Sequence, residues 1–123
     1  MILDQANIYG NAKVSNDTWV SDKAKIYGQV EVFGNARVLD NAKVYDSAWV
    51  YEGAVVYDYA KVYGNARIYD DTTVCGRALV YGHAKVGGIV VVCDKARVYD
   101  YAEVCGKVKV DGNLWIHEND VVN

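Results

Sequence analysis

The sequence predicts an all-β fold, a single-stranded parallel β-helix wound as a triangular solenoid of about seven 18-residue coils. Three observations predict it. An aliphatic residue stands at every sixth position, a small residue stands two places before it, and a turn-forming residue stands two places after it.

The aliphatic row carries most of the argument. From Ile2 to Val122 in steps of six, every one of the 21 positions is Ile or Val, with Ile at 2, 8, 26, 68 and 116. The phase never slips, so no loop leaves the repeat. Two places earlier stand Ala6, Ala12, Ala24, Ala36, Ala42, Ala48, Ala54, Ala60 and Ala66, with Thr18, Thr72, Val30, Val90, Val108 and Leu114 as variants. Small and aliphatic residues alternating with outward ones are the period-two pattern of a strand buried on one face. Two places after each aliphatic comes Gly, Asp, Glu or Asn, residue types that turn corners by adopting positive φ or bonding nearby backbone. A strand this short cannot pair within its own unit, so each must stack on an equivalent strand of the next coil. Residues 1–123 therefore read as one domain.

Units such as NARVLD, NAKVYD, NARIYD and KARVYD resemble the hexapeptide-repeat family, whose members form left-handed parallel β-helices. The likeness runs from Ile2 to Val122 and is nearest to bacterial proteins with runs of N-A-x-V-x-G, described as transferases or polymer-forming proteins. It implies left-handed winding, which periodicity alone does not set. The best-known enzymes of the family carry Gly directly after the aliphatic. Here that position is usually Tyr.

If three units close a coil, residues 18 apart lie above one another, and the 15 aromatics all fall outside the two inward rows. Tyr9, Tyr27, Tyr45, Tyr63, Tyr81 and Tyr99 then form a ladder on one face, ended by His117. The parallel outward row of that face reads Asn7, Lys25, Lys43, Lys61, Leu79, Arg97 and Trp115. Stacked rings can simply support the ladder. The strip is also large enough to mark an interaction site. The candidate interaction face is thus the six Tyr with Lys25, Lys43, Lys61 and Arg97. A second copy of the chain is its first expected partner, through this face or the coil ends. Another protein, a glycan or a polyanion is the alternative. Ring stacking beside cations also suits single-stranded nucleic acid, but a net charge of -3 speaks against that partner.

Other clusters have structural readings. Asp4, Asp22, Asp40, Asp58 and Asp94 share a corner, where they either hold a cation or bond their own turns, with Lys23, Arg77 and Lys95 one place on. Cys75 and Cys93 are 18 apart and should be stacked neighbours, near enough for a disulfide by distance but expected as reduced thiols without a redox motif, while Cys105 falls on a different face. Leu114 and Asp120 break the small-residue row in the last coil, where they are expected to form a crude plug.

No catalytic site, cofactor or metal is expected. Acyltransferases of the resembled family use a His base, inserted loops and subunit interfaces. The two histidines here, His83 and His117, sit on a regular rod, and nothing in the spacing sets Asp71 or Glu118 beside His83 as an orienting partner. The N-terminus from Met1 has neither the basic start nor the apolar run of a secretory signal, and no stretch approaches a membrane span. With three cysteines, an odd number, the expectation is a reducing, cytoplasmic compartment.

Overall fold

The computed structural model describes residues 2–15 and 17–123; Met1 and the Asn16 corner lie outside the described residues. The described chain is all strand and corner, arranged as three parallel sheets around a narrow bore. The first face stacks Asn7–Ile8, Lys25–Ile26, Lys43–Val44, Lys61–Val62, Leu79–Val80, Arg97–Val98 and Trp115–Ile116. Seven strands from Lys13–Val14 to Val121–Val122 form the second face, and six from Trp19–Val20 to Lys107–Val110 form the third. Ile2 adds an isolated bridge to Val20 below the third face.

Each strand pairs with the one 18 residues on, as in Lys25↔Lys43 and Lys61↔Lys43. The backbone ladder follows the same step, with Lys43 N–H donating to Ala60 carbonyl at 3.0 Å and Tyr45 N–H to Val62 carbonyl at 3.0 Å. Among the described residues the sealed apolar positions are inward ones, Cys75 excepted. The Ala and Val rows from Val20 to Ala102 form one continuous core in which no aromatic takes part. A bore this narrow admits methyl-sized and branched aliphatic groups, so the rings are driven outside.

Corners turn through positive φ. Asp22, Asp40, Asp58 and Asp94 lie at φ 58–59, and Glu52 and Asp70 at 57. Their carboxylates have a different partner from the one the spacing implied. Asp22 accepts from Asp40 N–H at 3.3 Å, Asp40 from Asp58 N–H at 3.2 Å, Asp58 from Gly76 N–H at 3.1 Å and Asp94 from Gly112 N–H at 3.0 Å. The carboxylate thus bonds the next coil's corner rather than its own turn. The reason is the direction of the ladder: strand amides donate forward, to the following coil, whereas the left-handed corner amide points back to the preceding coil. A carboxylate there supplies the acceptor that the ladder does not.

Three corners differ. Where Val replaces Ala after the corner, at Val30, Val90 and Val108, the corner Gly opens to φ 83, 92 and 81. At two of these the strand lengthens to four residues, Ile89–Val92 and Lys107–Val110. The bulkier apolar Val goes with extended backbone at these corners, whereas Thr72, also β-branched, keeps the tight turn, its N–H donating to Tyr69 carbonyl at 3.4 Å. The end of the rod also differs from expectation. Leu114 is 54% exposed and does not plug the bore, while Asp120 accepts from His117 N–H at 3.2 Å and closes its own turn.

Candidate functional site

The first face owes its two rows to the six-residue unit. Residues flanking each inward aliphatic both point outward, one row on either side. The Tyr row is a true stack: consecutive ring centroids from Tyr9 to Tyr99 lie 4.8–5.1 Å apart with interplanar angles of 1–4°. His117 continues it at 5.3 Å from Tyr99 and 18°. Because the rings cover one another's faces, what meets solvent is their edges and hydroxyls. Tyr9, at the open end of the row, is 51% exposed, whereas Tyr27 to Tyr99 are half-buried. Burial, then the neighbouring Tyr63 and Tyr27 and the carboxylate of Asp46, push the Tyr45 phenol up to about 12. Tyr27 and Tyr63 move the same way, again chiefly through burial.

The cation row behaves differently along its length. Lys25, Lys43 and Lys61 are direct ladder partners, so three ammonium groups share one column. Among the described residues the two ion pairs are Lys109 with Asp111 and His117 with Glu118, and neither involves this column. Arg97 is engaged elsewhere, its guanidinium lying 5.0 Å over the Trp115 ring. Leu79 separates it from the three Lys. The structure therefore divides the ten predicted residues into a Tyr stack, a three-Lys column and a detached Arg97.

The Lys column borders the corner that joins the third face to the first. Lys23 and Arg77 project from that corner, and together with Lys25, Lys43, Lys61, Asn41, Tyr59 and Leu79 they line an open groove of about 520 Å³. Lys23 and Arg77 read from the sequence as local partners for the corner Asp residues; their second neighbour is this groove. Stepping Lys23 and Arg77 onto the row of Lys25 across one Ala would have shown it. Arg77 also lies over the exposed Tyr59 ring at 5.3 Å. A second groove of about 660 Å³ runs past Asp4, Asp22, Asp40 and Asp58. The last three of these carboxylates bond backbone amides of the next coil, so they are committed to the corner itself.

Sequence reasoning missed a second aromatic stack on the second face. Phe33 and Tyr51 lie 4.9 Å apart at 7°, Tyr51 and Tyr69 5.4 Å apart at 13°. The same 18-residue step locates them. The stack stops at Gly87, where a Cβ would meet the Tyr69 ring at 2.2 Å: the ring folds into the place a side chain would fill. Beside this stack Arg67 covers Trp49 at 4.6 Å.

Cys75, Cys93 and Cys105 are free thiols. Cys75 is buried between Tyr57 and Cys93; burial and the hydrogen bond to Cys93 push its thiol up to about 12, a poor nucleophile at neutral pH. Cys105 lies on the second face and donates to Asn123 Oδ1 at 3.0 Å. His83 is stacked on Tyr101 at 4.8 Å. His117 Nδ1 stands 3.5 Å from Glu118 Oε1, with the His 37% and the Glu 76% exposed. No wall encloses a substrate there. Among the described residues no group of three or more His, Cys, Asp or Glu is placed to hold a metal ion, and no helix is long and apolar enough to cross a membrane.

Comparison with known proteins bears on the middle of this rod. A family model described as YdcK Beta solenoid repeat matches residues 60–76. The chain is a β-solenoid repeat protein. The matched stretch is slightly less than one coil and contains Lys61, Tyr63, Tyr69, Asp70 and Asp71. No curated protein matches the chain.

Proposed function

We propose that this β-solenoid is a non-catalytic structural module that associates with copies of itself side by side through the first face. The observation that carries the reading is the column Lys25, Lys43 and Lys61, stacked without an ion-pair partner among the described residues beside an aligned row of Tyr edges. Like charges held one coil apart repel, and an acidic surface arriving on this face relieves that repulsion. The rigid Tyr stack adds aromatic area that loses little side-chain freedom on contact. The regular winding supplies what such a module needs, a flat surface whose rows repeat at one spacing. A cytoplasmic, reducing setting fits the three free thiols.

Light scattering tests the reading. Wild type should form oligomers at high micromolar concentration, and Lys43→Ala/Lys61→Ala should weaken them while leaving the Tyr stack intact. Tyr45→Ser/Tyr63→Ser, with its fold checked by circular dichroism, should weaken them too. Wild-type monomers would overturn the proposal, and oligomers indifferent to both variants would move the contact to the coil ends. An acyltransferase, the activity implied by resemblance, would need an enclosed base; neither stacked His83 nor exposed His117 supports one.

A further inference from the structure

The surface that fits the Lys column is present on the same molecule, on its opposite side. In a triangular section each face lies across from one corner, and the first face lies across from the corner joining the second and third faces. That corner carries Glu52, Asp70 and Asp71. The Glu52 pKa is raised, first by hydrogen bonding with Asp70, then by burial and by the charges of Asp70 and Asp71, so the three acids act as one cluster. Each acid stands nine or ten residues after a residue of the first face, which is half a coil around the section and about 2.4 Å along the axis.

Building on the side-by-side reading above, we infer that the acidic corner of one rod docks on the lysine column of the next, so that rods repeat by sideways translation. A neighbour shifted along the normal of the first face, without rotation, presents its acidic corner to that face at matching height. Lys43 then meets Glu52, and Lys61 meets Asp71, which stands beside Asp70, whose own carboxylate accepts from Gly88 N–H of the next coil at 3.0 Å. The next coil repeats the match in apolar form: Leu79, where the cation row breaks, meets Ile89, which is 58% exposed at the corner. Charge faces opposite charge over two coils and an aliphatic faces an aliphatic in the third. One coil further, Arg97 would face Lys107, but its guanidinium is drawn over Trp115 instead. The contact uses different surfaces on the two partners and relates them by translation without rotation, so it never closes, and association continues as a ribbon of parallel rods.

Charge reversal separates this contact from other ways of using the first face. Lys43→Glu/Lys61→Glu and Glu52→Lys/Asp71→Lys should each weaken association by at least about tenfold, and the chain carrying all four changes should recover it. An equimolar mixture of the two double variants should also associate. Asp71→Lys alone, which leaves both positive-φ corner residues intact, guards against a folding defect and should weaken association in the same direction. If Glu52→Lys/Asp71→Lys and Asp71→Lys associate as wild type while Lys43→Glu/Lys61→Glu does not, the acidic corner is not the occupant, although the first face remains the contact. If wild type is monomeric at high micromolar concentration, the side-by-side reading fails as well.

Discussion

Single residues in this rod are judged by what the neighbouring coil offers them. Tyr45 is the clearest case, because its phenol is held neutral by burial and by its ring neighbours, up to about 12. A phenol raised above its unfolded value of about 10 favours the fold at every pH below 10 and loses that contribution as pH climbs through its folded value. Thermal unfolding followed by circular dichroism should therefore be insensitive to pH on account of Tyr45 up to about pH 10 and fall between about pH 10 and 12, in step with tyrosinate absorbance. Tyr45→Phe should make the fall shallower. The corner Asp residues have a similar logic. Asp58 combines φ 59 with an acceptor for Gly76 N–H. Asp58→Asn keeps both properties and should be nearly neutral, whereas Asp58→Leu loses both and should cost about 1–3 kcal/mol in thermal or urea unfolding. The sequence showed that these Asp turn corners. It did not show which coil they bond, because that depends on the direction in which corner amides point.

At the scale of strand and corner, Val at the bore position after the turn goes with a wide corner, and Ala or Thr72 with a tight one. Ala after the corner goes with a tight turn, as where Ala60 N–H donates to Tyr57 carbonyl at 3.3 Å. Val90 and Val108 go with extended strands and a wide Gly corner. Gly88→Ala should therefore be costly, about 1–3 kcal/mol, since φ is 92 and a Cβ would lie 2.6 Å from Gly106 carbonyl oxygen. Gly112→Ala is the contrast: φ is 61 and a Cβ there meets nothing within 4 Å, so the loss measured by the same unfolding experiment should be smaller. Strand placement was fully legible from the six-residue step, because an inward row tolerates only aliphatic groups. The second aromatic stack was legible in principle from Phe33, Tyr51 and Tyr69. Its end at Gly87 was not, since a glycine in an outward row does not reveal that a ring from the coil below occupies its space.

For the whole molecule, the distribution of charge matters more than its sum. A net charge of -3 hides a cationic groove on one side and Glu52, Asp70 and Asp71 on the other. Reading the rows in sequence found the Lys column but not its complement, which lies on a corner that becomes the opposite side only once the coil closes at three strands. Association through such surfaces is electrostatic, so it should weaken steadily with added salt as the screening length falls from about 10 Å at 0.1 M to about 3 Å at 1 M. Concentration-dependent light scattering of the wild-type chain in low salt tests the account most directly. Side-by-side association predicts a mass that grows with concentration beyond the 13.6 kDa of one chain and falls back as salt is added. A mass of one chain at every concentration up to the high micromolar range would contradict it.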